Sequence, residues 1–332
     1  MGSVLSIVIV NYKTPELLCN CLNTVFNQVG NLLFEVIVVD NHSEDNSREH
    51  VLTRFPEVRW IQMSYNAGFA RANNEGIRQS KGEVVLLLNS DTLNQDNAIA
   101  GCFQAFIRSD YVACGVQLLN ADLSPQISGN YFMRGGLNNL LPLPYIGNFI
   151  KWLGNLVNVK KPHVPDASAE TVVDWINGAF LMVKKEVTHE AGLMDEDFFL
   201  YAEEAEWCAR LGKFGRLAIF GQFRVIHLQG ETSNATFRSS GKGYYNLYDR
   251  KGLQIMLSNF VRIRKQFGTG WLLLHLFVYT ATVPVFMMGR LLSAIAGQRR
   301  YGSVQGFAAN VLRLWRYAPR IIRNRPYFYK VL

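Results

Sequence analysis

The stretch that decides the fold is Val85-Leu86-Leu87-Leu88-Asn89-Ser90-Asp91-Thr92. An unbroken apolar run ends abruptly in three polar residues. Such a run suits a strand buried on both faces, as in a parallel sheet. The polar triplet then falls at the strand's carboxyl end, where open α/β sheets bind ligands. Residues two apart in extended chain point the same way, so Asn89 and Asp91 can reach one ligand. Hard oxygen donors at that spacing suit a divalent cation bridging to phosphate. A strand running into an ordinary turn would use the same three residue types.

Outward from this stretch, apolar runs alternate with amphipathic segments over the first 120 residues. Leu5–Val10, Glu35–Asp40, Val58–Gln62, Glu83–Leu88 and Tyr111–Val116 read as strands. Pro15–Gln28, Asn46–Arg54, Ala67–Ser80 and Asn97–Ser109 read as the helices between them. This alternation predicts right-handed crossovers and a parallel sheet covered on both faces. Residues 123–168 break the rhythm with scattered glycines and prolines, and read as a mobile insertion able to close over a ligand. Thr171–Val183 returns to regular structure. Helices over Lys184–Ala191 and Ala202–Phe214 follow, then a strand over Arg216–Phe220.

Charge divides the chain. From Arg238 onward lie 16 of the 34 Lys/Arg but one of the 26 Asp/Glu, so the first 237 residues carry −7 and the rest +15. We therefore expect a domain over 1–237 and a basic, apolar helical region over 238–332 that meets something anionic. Trp271–Met288 is nearly all apolar and close to the minimum for a bilayer span. In Asn310–Arg325, Arg313, Arg316, Arg320 and Arg323 recur every three or four residues, on one helical face. Pro319 is expected to kink or end that helix. Trp, Arg and short apolar faces suit a helix lying in the membrane surface, which is favoured over a full span and over nucleic-acid binding. A soluble helical hairpin closing the core or a dimer is the plainer alternative. The five cysteines form no metal or CxxC pattern and read as reduced, buried thiols of a cytosolic protein. The first strand begins almost at once, so no signal peptide is expected.

Three polar clusters end strands on one rim: Asn11-Tyr12-Lys13-Thr14, Asp40-Asn41-His42-Ser43 and Asn89-Ser90-Asp91. No GxGxxG follows the first strand, so a nucleotide diphosphate here would need another charge partner. Asp40 could accept from a pyrimidine N–H or a ribose hydroxyl, or could cap a turn. Gly68 would let backbone approach a ligand closely, or serve as a plain turn glycine. A second cluster, Met194 to Trp207, holds six acids. Glu203 and Glu204 there fall in the first turn of a helix, whose dipole favours the carboxylate a general base needs. A solvated acidic face is the alternative, which Phe198, Phe199 and Tyr201 argue against. His227 could be a metal ligand or a structural histidine.

Ile7-Val8-Ile9-Val10-Asn11-Tyr12, Val38-Val39-Asp40-Asn41, Asn66-Ala67-Gly68 and Asn89-Ser90-Asp91 resemble successive motifs of family 2 glycosyltransferases with the GT-A fold. The pattern continues through Trp175-Ile176-Asn177-Gly178-Ala179, Asp195-Glu196-Asp197-Phe198-Phe199, Glu203-Glu204 and His227-Leu228-Gln229-Gly230. It covers residues 4–235, ~70% of the chain, a span typical of one domain. Within the family the chain is most similar to rhamnosyltransferases of bacterial O-antigen, capsule and cell-wall assembly. The resemblance implies an α/β GT-A fold and inverting transfer from a nucleotide-sugar, dTDP-rhamnose being favoured over galactofuranose, glucose or N-acetylglucosamine donors. It implies donor contacts from Val10, Asn11, Tyr12, Thr14, Asp40, Gly68, Arg71, Asn89, Ser90 and Asp91. It also implies Mg2+ or Mn2+ on Asp91 and His227, and a sugar and acceptor pocket at Trp175, Asn177, Gly178 and Glu203. Glu204 would be the base. The acceptor would be polyprenyl-diphosphate-linked, at an anionic membrane surface on the cytoplasmic side of a bacterial inner membrane, with a homo-oligomer possible and no nucleic acid. Two departures stand out. Asn89 replaces an aspartate, and Glu204 replaces the usual aspartate base, one methylene longer. A non-catalytic GT-A binding module is the alternative from another class.

Overall fold

A computed structural model describes residues 4–28, 30, 32–156, 163–164, 166–228, 237, 239, 246–295 and 302–331. The chain forms two compact units. One contains residues 1–131, 163–199 and 203–232; the other contains 132–162, 200–202 and 233–332. The motif residues Gln229 and Gly230, and Arg299 and Arg300 of the tail, lie outside the described residues.

The first unit is built on β1 (Leu5–Asn11), β2 (Phe34–Asp40), β3 (Arg59–Gln62) and β4 (Val84–Asn89). Between them run α1 (Pro15–Asn27), α2 (Ser47–Arg54) and α3 (Gly68–Gln79). After β4 come β5 (Thr92–Asn94), α4 (Ala98–Ile107), β6 (Ala113–Leu119) and β7 (Gly129–Asn130). The insertion contains the 3-10 turn Arg134–Leu140 and α5 (Ile146–Leu156), and then β8 (His163–Val164) returns to the first unit. The unit is completed by β9 (Glu170–Val173), β10 (Trp175–Ile176), β11 (Phe180–Lys184), α6 (Lys185–Ala191), α7 (Glu203–Leu211) and β12 (Leu217–His227).

The main sheet runs β3-β2-β1-β4-β11-β6-β12-β5, with β9 paired to β12. Strands β1 to β4 pair in parallel, as their buried apolar runs predict. The rest is mixed. Strand β11 lies antiparallel between β4 and β6, and β12 pairs antiparallel with β5 and β9. An apolar run does not state its direction; β11 enters after a long connection rather than a helical crossover, so nothing constrains it to be parallel. The expected run Thr171–Val183 is three separate strands. Two of them belong to the main sheet, and β10 pairs with β7 in a small second sheet.

Helix α1 opens with Pro15 in its first turn and buries Leu18, Cys21, Leu22 and Val25, one face at helical spacing. These pack with Ile7, Ile9, Val36, Val38, Leu86, Leu88, Phe103 and Phe180 in one core. All five cysteines are free and buried, as expected.

The second unit holds α8 (Arg250–Phe267), α9 (Thr269–Ile295) and α10 (Val304–Arg323), together with α5 and the 3-10 turn. Asp249 caps α8 by accepting from Gly252 N at 2.9 Å, and Ser303 caps α10 by accepting from Gly306 N at 2.9 Å. The 3-10 turn sits against α9: an added Cβ at Gly135, whose φ is +63°, would lie 2.1 Å from the Trp271 ring. Pro319 does not end the helix, and α10 continues through it to Arg323. The prolyl ring removes one helical hydrogen bond, and the buried face of Phe307, Val311, Leu314, Ala318 and Ile321 continues past it. Among the described residues α9 is the one helix long and apolar enough to cross a membrane, and a third of its most apolar window is buried.

Candidate active site

Three strand ends lie side by side. In register, Asn11 faces Asp40 and Val10 faces Asn89, so the polar clusters that follow β1, β2 and β4 share one rim. Strand order reverses between β1 and β4 here, the place where open sheets leave a crevice.

Asp40 is buried, and its carboxylate accepts from Asn11 Nδ2 (2.7 Å), Ser43 Oγ (2.5 Å), Ser43 N (2.9 Å) and Gln62 Nε2 (2.6 Å). Of these donors Gln62 alone belongs to an exposed residue. Asp40 therefore ties β1 to β2 and the turn after it. Thr14 donates to Asn11 Oδ1 at 3.2 Å and approaches Ser90 Oγ at 3.4 Å, closing the gap from β1 to the Asn89-Ser90-Asp91 turn. Tyr12 is half-buried, with Lys13 Nζ 5.5 Å from its ring centroid.

Helix α3 begins at Gly68, where φ is +78° and an added Cβ would lie 2.3 Å from the Phe199 carbonyl oxygen. Phe69 N donates to that oxygen at 2.9 Å. The glycine is thus required for close packing of two backbone segments. Arg71 is tied to the same segment, donating from Nε to Glu196 O at 3.0 Å and from a terminal nitrogen to Tyr65 Oη at 3.0 Å.

Strand pairing brings in residues remote in sequence. Asn89 N donates to Ala179 O at 3.0 Å, which sets Asn177–Ala179 beside the β4 end. An added Cβ on Gly178 would lie 3.5 Å from Glu204 Cβ, so this segment also touches the first turn of α7. Glu203 and Glu204 are both buried there. The backbone just before them is left-handed at Tyr201 and Ala202, with φ +73° and +66°. Two such residues in succession are costly and mark a turn held by its surroundings. Glu206 is spoken for, pairing with Arg210 at 2.8 Å. Glu196 pairs with Arg78; burial works against its charge, but hydrogen bonds from Arg78 and Asn74 outweigh it and lower its pKa. Asn177 is fixed by Ser128 O and Ala179 N, and Trp175 Nε1 is buried without a hydrogen-bond partner among the described residues.

Pairing of β5 with β12 places His227 opposite Thr92, and Leu228 N donates to Asp91 O at 2.9 Å. His227 Nε2 then lies 3.4 Å from Asp91 Oδ1 and 3.4 Å from Asn89 Nδ2. The other ring nitrogen, Nδ1, lies 3.0 Å from Gln126 Oε1. Gln126 Nε2 donates to His227 O at 2.6 Å and to Leu119 O at 3.2 Å. Two carbonyls thus fix which way the amide faces, and its oxygen can only accept. His227 Nδ1 therefore donates to Gln126, and Nε2 faces the Asp91 carboxylate and the Asn89 amide. A carboxylate oxygen, an imidazole nitrogen and the Asn89 amide thus converge at the β4 end. Among the described residues no third His, Cys, Asp or Glu joins the pair. One carboxylate oxygen and one imidazole nitrogen fit a divalent ion whose remaining ligands are phosphate oxygens and water. The Gln126 hydrogen bond is the outer contact that orients such a histidine. Sequence reasoning missed Gln126, which sits in a polar loop with no periodicity to distinguish it.

The model of the family described as "Glycosyl transferase family 2" matches residues 6–159. Residues 6–159 thus carry a glycosyl transferase family 2 domain. Curated relatives include a low-salt glycan biosynthesis hexosyltransferase of Haloferax volcanii, 29% identical over 74% of this chain and 74% of the relative. A dTDP-rhamnosyl transferase of Shigella flexneri is 28% identical over 74% of this chain and 78% of the relative. An N-acetylglucosaminyl-diphospho-decaprenol L-rhamnosyltransferase of Mycobacterium tuberculosis is 27% identical over 56% and 63%. Among solved structures, a Pyrobaculum calidifontis mannosyltransferase in complex with GDP-Man and Mn2+ superposes with TM-score 0.54 at 13% identity, over 98% of this chain and 86% of that one. GalNAc-T7 with UDP, GalNAc and Mn2+ gives 0.53 at 14% identity, over 78% of this chain and 48% of that longer chain. At these identities the structures show the shared GT-A fold, mixed α/β with a mostly parallel sheet half.

Proposed function

We propose that this glycosyltransferase transfers L-rhamnose from dTDP-rhamnose, with inversion, onto a lipid-linked saccharide acceptor of surface polysaccharide assembly. The observation that carries it is the His227 Nε2 held against Asp91 at the β4 end, in a chain whose relatives include a dTDP-rhamnosyl transferase and a transferase named for a diphospho-decaprenol acceptor. Asp91 and His227 would hold Mg2+ or Mn2+, and the relation to GT-A enzymes crystallised with Mn2+ supports that choice. When bound, the ion supplies positive charge to the leaving diphosphate.

The chain's own groups do the rest. Val10, Asn11, Tyr12, Thr14, Ser90 and Asn89 line the rim on which the nucleoside diphosphate rests. Asp40 recognises the base by exchanging its exposed partner Gln62 for a ring N–H. Gly68 and Arg71 set the α3 start against the Phe199 segment and so shape the donor wall. The unpartnered Trp175 Nε1 is available to a sugar hydroxyl, beside Asn177, Gly178 and Glu203. Glu204 accepts the acceptor hydroxyl proton while the new glycosidic bond forms and the nucleoside diphosphate departs.

Residues of the second unit support association with a membrane surface. Phe149, Trp152 and Leu156 of α5, Phe277, Met288, Leu292 and Ile295 of α9, and Leu312 and Trp315 of α10 are exposed. A thermal-shift screen of dTDP-rhamnose, UDP-galactofuranose, UDP-glucose and UDP-N-acetylglucosamine, each with and without Mn2+, tests the donor. We expect the largest Mn2+-dependent rise with dTDP-rhamnose. Stabilisation that is the same in Asp91→Asn would refute the site assignment, and a larger rise with another donor would refute the sugar.

A further inference from the structure

The second unit contains 20 of the 34 Lys/Arg and a single acid, Asp249, so it carries +19 while the first unit carries −11. That contrast exceeds what the linear division at residue 238 gives, because residues 132–162 add Arg134, Lys151, Lys160 and Lys161 and no acid. Asp249 is committed elsewhere: its carboxylate accepts from Gly252 N, Ser239 Oγ and Asn246 Nδ2 around the start of α8.

Within this unit a cavity of about 590 Å3 opens beside α10. Five arginines line it: Arg250 from α8, and Arg313, Arg316, Arg320 and Arg323 from α10. The four on α10 are spaced three, four and three apart, so they fall within one narrow face of the helix. Among the described residues no carboxylate lines the cavity and none pairs with these arginines. Arg320 is held in place, its guanidinium 4.0 Å from the Tyr327 ring centroid. Leu253 and Val331 give the cavity an apolar wall.

Five like charges facing one volume repel each other, and α10 could have interleaved acids at no cost to its buried face. A polyanion in the cavity removes that repulsion. Guanidinium forks match phosphate oxygens two at a time, which a single carboxylate ligand would not fill. The cavity is open to solvent, and its volume lies in the range of small-ligand pockets. We propose that the arginine-lined cavity of the second unit is a binding site for a diphosphate or phosphomonoester group, separate from the nucleotide-sugar rim. The phosphate could belong to a membrane lipid headgroup or to a soluble phosphate ester. The inference stands on the charge and shape of this unit and not on the transfer chemistry.

The test titrates the full chain with inorganic diphosphate by calorimetry in EDTA, which leaves any metal-dependent donor binding silent. We expect one saturable site. Arg316→Gln/Arg320→Gln should weaken it roughly tenfold per arginine, with unfolding temperature unchanged because both side chains are exposed. Arg316→Lys/Arg320→Lys should lose most of the same affinity, since charge without the fork is not enough. Glu204→Gln should bind as well as wild type even if transfer is abolished, so failure here and failure of the transferase reading are separable. Arg48→Gln/Arg224→Gln, the same charge loss in the first unit, should bind as wild type. Flotation then assigns the source. Preference for phosphatidic acid over phosphatidylserine vesicles of matched charge, reversed by diphosphate, identifies a lipid headgroup; diphosphate binding without that preference identifies a soluble phosphate. Absence of diphosphate binding, equal losses in the first-unit control, or arginine-dependent binding of duplex DNA in place of diphosphate would each overturn the proposal.

Discussion

Gln126→Leu tests the arrangement around His227 most directly. The substitution is close in volume but removes three side-chain contacts: the acceptor for His227 Nδ1–H, and the donors to His227 O and Leu119 O. A buried donor left alone costs about 1–3 kcal/mol, and the two carbonyls less, because each keeps a second lone pair. We therefore expect about 2–4 kcal/mol lower stability, read as a lower urea midpoint with unchanged slope. Loss of the orienting contact also frees the ring to turn and to move its proton to Nε2, which should weaken Mn2+ binding about 10–100-fold. Gln126→Glu separates the two effects. It still accepts from Nδ1 but donates to neither carbonyl, so it should lose comparable stability and keep Mn2+ affinity. The assay is Mn2+ titration followed by paramagnetic resonance of the free ion, with dTDP present to complete the coordination. Equal Mn2+ affinity in the Leu variant and wild type, or identical behaviour of the Leu and Glu variants, would refute the assigned tautomer.

Glu204→Gln should lower kcat by about 10^2–10^4-fold with KM for the donor little changed, as expected for a base that acts on the acceptor; steady-state kinetics decide. Gly68→Ala should cost about 2–5 kcal/mol, from a left-handed φ and a Cβ driven towards the Phe199 carbonyl, and thermal unfolding would reveal it. Glu196 has a lowered pKa in the folded chain, so its contribution to stability is present above the unfolded-state pKa and lost as pH falls through the folded-state value. The stability gap between wild type and Glu196→Gln should accordingly close on acidification across the carboxylate range, and a constant gap would contradict this. Burial pushes the Cys21 and Cys208 thiols up to about 12, so native protein should react with a thiol reagent at pH 8 far more slowly than urea-unfolded protein.

The sequence by itself determined the parallel half of the sheet, its helices and the rim. Runs such as Val85–Leu88 are apolar on both faces, and the polar residues that end them are local. It also determined the basic tail, since charge is additive along the chain. Tertiary structure alone decided the direction of β11, because an apolar run buries equally well either way. It alone decided that residues 132–162 join the C-terminal helices, because a shared basic, acid-free composition does not say which segments pack together. The pairing of β5 with β12 brings His227 to Asp91 across more than 130 positions, and Gln126 reaches that ring from a loop. Hydrogen bonds between distant residues leave no period in a sequence. A pattern of residue types names the candidates, and only the folded chain fixes which nitrogen carries the proton.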